Sequence, residues 1–248
     1  MAERKTTTGR RHDGRRPDEV RPISIERHFV TSADGSVLIA CGRTRLVCTA
    51  SVVEGVPSFL RETSQGWVTA EYDMLPASTA VRRSRMGRTG RTDGRAVEIQ
   101  RLIGRSLRAI ADLSALTGRT IWVDCDVIEA DGGTRTLAVT GGYVALVDAL
   151  RKMEAEGRLA RWPLSDSAAG VSVGVLDGEV VVDLDYLEDR AAEVDMNVVL
   201  TGRGRFIEVQ GTAEGRPFSK ALLGQMLTAA RRASAVLTRC QHEALDQR

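Results

Sequence analysis

A chain of 248 residues can bury a sizeable core, and 42% hydrophobic with 27% charged residues is ordinary globular usage. Aromatic residues make up only 4%, so the core must rest on Val, Leu, Ile and Ala, and recognition by many stacked rings is excluded. The net charge of +2 conceals a division: residues 1–22 carry +3, residues 82–95 carry +5 and the remainder carries −6. Positive charge thus sits in two segments of an acidic body, as either a phosphate-binding surface beside a carboxylate site or two solvated Arg-rich stretches.

Residues 1–19 are polar, basic and turn-rich, and read as a flexible arm before a single domain over 20–240 and a tail over 241–248. No apolar run follows Met1-Ala2-Glu3-Arg4-Lys5, so no signal peptide is expected, and none approaches the ~20 residues of a membrane span. Strands are predicted over Arg21–Val30, Ser36–Ala40, Arg45–Val53 and Trp67–Leu75, with turns at Asp34-Gly35 and Gly42-Arg43. Residues 76–94 form an Arg- and Gly-rich loop. A helix begins near Ala96, with Val97, Ile99, Leu102, Ile103, Leu107 and Ile110 mostly on one face. Thr120–Ile128 reads as a strand and Arg135–Glu156 as a helix apolar on most sides, hence buried.

Strands return at Val171–Leu176 and Glu179–Leu184, joined by the hairpin signal Asp177-Gly178, then at Met196–Leu200 and Phe206–Gln210. A last helix covers Phe218–Leu237, with Phe218, Leu222, Ala229, Ala233 and Val236 on one face. Strands followed by helices occur once in each half. The fold class is therefore α+β, a single domain of two similar β-rich halves with packed helices. The cysteines, Cys41, Cys48, Cys125 and Cys240, form no C-x-x-C pair; three lie in apolar strands, as buried thiols of a reducing cytoplasm do.

Three segments carry chemistry. In Asp131-Gly132-Gly133-Thr134-Arg135-Thr136, two glycines precede a helix N-terminus, Thr134 adds a hydroxyl and Arg135 a planar fork. This is either an oxyanion cradle or a tight strand–helix turn with Thr134 as N-cap. Gly94-Arg95 again places an arginine at a helix start; upstream lie Arg82, Arg83, Arg85, Arg88 and Arg91, able to follow a phosphate backbone without reading bases, or else simply solvated. The third segment holds Asp183, Asp185, Glu188, Asp189, Glu193 and Asp195. Alternation puts Asp183 and Asp185 on one face of a strand end, and such oxygen ligands suit Mg²⁺ or Mn²⁺, although an acidic solvated face is the competing reading. The three histidines, His12, His28 and His242, stand in no catalytic motif, and no G-x-S-x-G elbow, Walker A loop or strand-linked GxGxxG occurs. Two anion sites and a carboxylate cluster point to phosphoryl chemistry, where positioning and charge neutralisation dominate.

Several runs together resemble the ribonuclease PH family: Gly66-Trp67-Val68-Thr69-Ala70-Glu71-Tyr72, then Glu98-Ile99-Gln100-Arg101-Leu102-Ile103-Gly104-Arg105-Ser106-Leu107-Arg108, then Val123 through Thr136. Glu188-Asp189, Ala192 through Val199 and Glu208 through Gly215 continue the resemblance, in the same order, from about Arg21 past Arg232. Asp73, Ala96, Leu137 and the loop 80–94 depart from it. The resemblance implies the ribonuclease PH (ribosomal protein S5 domain 2-like) fold, assembled as a homohexameric ring, a trimer of dimers. It implies a phosphate-dependent tRNA nucleotidyltransferase that trims precursor tRNA beyond its 3′ CCA, with inorganic phosphate as co-substrate and nucleoside diphosphates as products. By position, Arg95, Gly133, Thr134 and Arg135 would hold phosphate. Asp189 and Asp195 would be the catalytic residues and bind Mg²⁺ or Mn²⁺. Arg82, Arg83, Arg85, Arg88 and Arg91 would contact RNA. A non-catalytic RNA-binding ring subunit and a hydrolytic nuclease are the competing classes.

Overall fold

A computed structural model of the chain describes residues 11–85 and 93–247. Two sheets and three long helices account for most of it. The first sheet is built from β1 (Ile23–Arg27), β2 (Gly35–Cys41), β3 (Thr44–Glu54), β4 (Trp67–Met74) and β5 (Arg119–Glu129), in the order β1-β2-β3-β5-β4. Pairing is antiparallel except for β4 and β5, which are parallel with Tyr72 opposite Cys125. That parallel pair needs a crossover. Helix α1 (Gly94–Arg108) provides it and packs on β4. Helix α2 (Thr134–Ala155) follows β5 and lies against β2 and β3.

The second sheet is antiparallel, in the order β7-β6-β8-β9, from β6 (Ala168–Leu176), β7 (Glu179–Val182), β8 (Val194–Thr201) and β9 (Phe206–Ala213). Between β7 and β8 lies a short helix, α3 (Tyr186–Ala191), and α4 (Lys220–Asp246) closes the chain against this sheet. One hydrophobic core joins the first sheet to α1 and α2, around Ile39, Leu46, Ile99, Leu102, Ile121 and Leu146; a second joins the other sheet to α4, around Val173, Met196, Val198, Met226 and Leu237. Helix α2 touches both sheets, which is why it is apolar on nearly every side. The α+β architecture of two β-rich halves is thus the one expected.

Three expectations need correction. Residues 11–19 do not behave as a free arm: Arg15 is 7% exposed and ion-paired to the second half. Residues 241–246 are no tail but the last turns of α4. Gln241 is fully buried there, its Nε2 donating to the carbonyls of Thr140 and Ala168 at 2.9 Å each. The strand after the Asp177-Gly178 turn ends at Val182, not Leu184, because Asp183 takes a positive φ of 52° that no strand continues. The turn itself has left-handed backbone at both residues, as a two-residue hairpin loop requires.

Candidate active site

The glycine pair does what its residue type permits. Gly132 and Gly133 have φ values of +77° and +70°, and a β-carbon on Gly132 would lie 2.5 Å from the Leu184 carbonyl oxygen. Only glycine fits there. Gly133, not Thr134, is the N-cap of α2 and makes no side-chain cap, so the first amides of that helix keep their capacity for an anion. Thr134 is buried, and its hydroxyl lies 2.8 Å from that of Tyr72 on β4. Burial pushes the Tyr72 hydroxyl above its usual range, against the Thr134 hydrogen bond and the charges of Arg95 and Arg135. It stays protonated at working pH and can donate to Thr134, which frees the threonine proton for a ligand.

Arg135, one residue further along α2, is fixed from two sides. Its Nη1 donates to Glu98 Oε1 on α1 at 3.1 Å and to Gln210 Oε1 on β9 at 2.8 Å; Gln210 Nε2 donates to the same Glu98 oxygen at 2.9 Å. Nε and Nη2 have no partner among the described residues. Arg95 stands in the first turn of α1, capped by Asp93, whose Oδ1 accepts from the Arg95 amide at 3.0 Å. Its guanidinium is exposed and makes no ion pair among the described residues, yet its charge acts on both Tyr72 and Asp189.

Of the six acidic residues, the fold brings two to this place. Asp195 lies on β8 between Gly174 and Thr212, and Asp189 on α3. Burial raises the Asp189 carboxyl above its ordinary range; the charge of Asp195 raises it further, and Arg95 and Arg135 oppose. Asp189 is nonetheless exposed, so it is packed on one side and open on the other. An exposed Asp189 that feels the charges of a half-buried Asp195 and of Arg95 and Arg135 has the oxygen donors that suit a hard divalent cation bound together with phosphate oxygens. Five residues expected at the site, Arg95, Thr134, Arg135, Asp189 and Asp195, therefore share one electrostatic neighbourhood.

The other acids do structural work. Asp185 is the N-cap of α3, its Oδ1 accepting from the amides of Leu187 and Glu188 at 2.9 and 3.0 Å. Asp183 is buried against Arg21, so these two do not share a metal-facing strand edge. His12, Asp185 and Glu188 come close enough to resemble a metal site. Arg11 and Arg15 already neutralise Glu188, and Asp185 is spent on the cap, so that triad holds itself together without an ion.

In the Arg-rich loop, Arg82 and Arg85 are exposed, and Arg83 Nη2 bridges to Asp93 Oδ2 at 2.8 Å; Arg88 and Arg91 lie outside the described residues. Arg82 and Arg83 line a cleft of about 1410 Å³ together with Arg15, Arg43, Asp131 and Tyr186. None of the five clustered residues lines it, so Arg82 and Arg83 address space beside that cluster and not the cluster itself. Cys41, Cys48 and Cys125 are buried thiols and Cys240 is half-buried. No helix among the described residues is long and apolar enough to cross a membrane.

A two-sheet α+β chain in which a helix N-terminus without a side-chain cap meets two arginines and a carboxylate pair carries the residue types that phosphoryl transfer uses. Residues 19–152 match the model for domain 1 of the 3′ exoribonuclease family, and residues 166–233 match the model for its domain 2. The chain belongs to this family, of ribonuclease PH type. Among solved structures it is similar to rice (Oryza sativa) Rrp46, with TM-score 0.77 and 22% identity over 95% of this chain and 100% of that one. It also resembles a chain of the Archaeoglobus fulgidus exosome with RNA bound to the active site (TM-score 0.76, 20% identity, 93% and 92% coverage). A chain of an archaeal exosome core is similar at TM-score 0.75 and 19% identity, with 94% and 92% coverage. At these identities the likeness is one of fold.

Proposed function

We propose that the protein is a phosphorolytic 3′→5′ exoribonuclease, a tRNA nucleotidyltransferase that trims precursor tRNA beyond its 3′ CCA. The observation that carries this is the meeting of Arg95, Arg135 and the open N-terminus of α2 with the Asp189–Asp195 pair. Phosphorolysis needs a seat for inorganic phosphate next to a seat for the scissile phosphodiester, and the two groups of residues supply them.

In this reading the phosphate lies against the first amides of α2, the Thr134 hydroxyl and the Arg95 guanidinium, with Arg135 held ready by Glu98 and Gln210. One phosphate oxygen attacks the phosphorus of the last phosphodiester. A new P–O bond forms, the bond from that phosphorus to the preceding 3′ oxygen breaks, and the freed 3′ end takes a proton. A nucleoside diphosphate leaves, and the same steps reversed add a nucleotide. Mg²⁺ or Mn²⁺ held by Asp189 and Asp195 would supply charge stabilisation at the departing oxygen. The arginines do most of the remaining work by positioning and by screening like charges. RNA upstream of the reacting end would be followed by Arg82, Arg83, Arg85, Arg88 and Arg91 through its phosphates. A homohexameric ring in the cytoplasm, with roles in tRNA and rRNA processing, completes the proposal.

The likeness to exosome subunits motivates one competing reading, a non-catalytic RNA-binding ring subunit. The presence of all five site residues in one place favours the enzyme. The test is product analysis: the protein is incubated with a 3′-extended tRNA and Mg²⁺, with and without inorganic phosphate. Nucleoside diphosphates that appear only with phosphate support the proposal. Monophosphates without phosphate would mean hydrolysis, and bound but uncut RNA would mean the ring subunit.

A further inference from the structure

Three arginines from residues 11–21 converge on two buried carboxylates. Arg21 donates from Nε to Asp183 Oδ2 at 2.9 Å and from Nη2 to Oδ1 at 2.7 Å, and its amide also reaches Oδ2 at 2.8 Å. Arg15 bridges the two acids, with Nη1 3.2 Å from Asp183 Oδ2 and Nη2 3.3 Å from Glu188 Oε2. Arg11 takes both oxygens of Glu188, its Nε donating to Oε1 at 2.6 Å. Burying five charged groups yields little net stability compared with an apolar core of the same volume, so the geometry they impose is the more informative product.

That geometry reaches the active site at two points. Arg21 continues past Asp183 to the carbonyls of Asp131, at 2.5 Å from Nη1, and Gly132, at 3.4 Å from Nη2. These peptides precede Gly133, Thr134 and Arg135, and glycines have no side chains by which a loop can be held. Glu188 is the neighbour of Asp189 on α3, a six-residue helix far too short to be stable alone. The Arg11 clamp fixes it from one side, while the Glu188 carboxylate also accepts from the Asp185 amide at 3.1 Å. Arg11 also donates from Nη2 to the Asp183 carbonyl at 2.9 Å, but it makes no hydrogen bond to residues 131–133 or to the Asp183 carboxylate, and Arg21 makes none to Glu188.

We propose that Arg21 and Arg11 are separate positioning residues: Arg21, with Asp183, sets the phosphate-binding loop, and Arg11, with Glu188, sets the α3 carboxylate used for metal. The N-terminal segment is thereby part of the machinery. The proposal rests on the functional reading above. It predicts a division of labour that a merely structural role would not produce. Arg21→Lys keeps the charge beside Asp183 but loses the fork that reaches the loop carbonyls; Arg11→Lys does the same at Glu188.

The experiment compares wild type, R21K and R11K in two ways. Phosphate and Mn²⁺ affinities are measured on the full chain by calorimetry and Mn²⁺ electron paramagnetic resonance, and phosphorolysis is measured over a range of each ligand. R21K should weaken phosphate about tenfold and leave Mn²⁺ affinity within about twofold; R11K should do the reverse, since lost outer-shell support typically costs about 10- to 100-fold. Should R21K not fold, Asp183→Asn loosens the same clamp from its other end and takes its place. Unchanged affinities in both variants, or equal losses of both ligands in each, would overturn the proposal while leaving the functional reading intact. A wild type that binds neither phosphate nor Mn²⁺ would overturn both.

Discussion

Arg95→Ala is the substitution that most directly tests the phosphate seat. The side chain is exposed and pairs with no described residue, so its loss removes nothing from the fold. Surface changes of this kind stay within about 0.5 kcal/mol. For a chain of 248 residues that corresponds to a melting-temperature change of no more than about 2 °C. The functional loss should be much larger. A guanidinium on a phosphate contributes a charge-assisted hydrogen bond of about 1.5–3 kcal/mol. At 1.4 kcal/mol per factor of ten, kcat/KM for phosphate should fall roughly 10- to 150-fold. The assay is the initial rate of diphosphate release from a short 3′-extended RNA over a range of phosphate concentrations, with a thermal melt alongside. A variant with unaltered kcat and KM for phosphate would remove Arg95 from the site. A variant that melts many degrees lower would show that the arginine is structural.

Three further outcomes follow from the same geometry. Burial alone would raise the Asp183 carboxyl, but the hydrogen bonds and charge of Arg21 outweigh it and hold the group below its ordinary range. A depressed folded-state pKa adds stability that is complete above the unfolded value and is lost as pH falls through the folded one. The melting-temperature deficit of Asp183→Asn should therefore be largest at pH 7 and shrink below about pH 4; an equal deficit at both would refute the assignment. Arg27→Ala leaves Asp148, with its side chain 1% exposed, without the guanidinium that meets it at 2.6 Å. Unfolding curves should show a loss of about 3–5 kcal/mol, with kcat unchanged at low temperature. Replacing Arg82, Arg83 and Arg85 together should flatten the salt dependence of RNA binding. Arg83 is already paired with Asp93, so the log–log slope should change by roughly two contacts at ~0.7 each, about 1.4, and not by three; an unchanged slope would place RNA elsewhere.

The parts of this molecule legible in its sequence are those governed by local rules. Of the predicted α1 face, Ile99, Leu102, Ile103, Leu107 and Ile110 are almost fully buried and Val97 is half-buried, because a periodicity of 3.6 translates directly into one packed side. The Gly132-Gly133 break, the Asp177-Gly178 hairpin and the apolar α2 were equally readable from residue type. On α4 the stripe is only partly placed. Ala233 faces the sheet as expected, but its companions there are Met226, Ala230 and Leu237, while Phe218, Leu222 and Ala229 lie at the margin, because a helix of mixed small and polar residues leaves its rotation to the partner.

What escaped the sequence reading is long-range pairing of charge. Arg11 and Glu188 are 177 positions apart, Arg21 and Asp183 are 162, and Arg135 and Gln210 are 75. Nothing local distinguishes a buried, paired arginine from a solvated one, so residues 11–19 looked like more of the same basic arm. The acidic stretch misled for the same reason. Asp183, Asp185 and Glu188 are spent on Arg21, on the α3 cap and on Arg11 and Arg15. Their neighbours Asp189 and Asp195 have no such partner among the described residues, and burial together with the charge of Asp195 raises the Asp189 carboxyl above its ordinary range. The division is physical: carboxylates that have found guanidinium partners within the fold build it, and the pair without them is the one to which the proposed function assigns the cation and the phosphodiester.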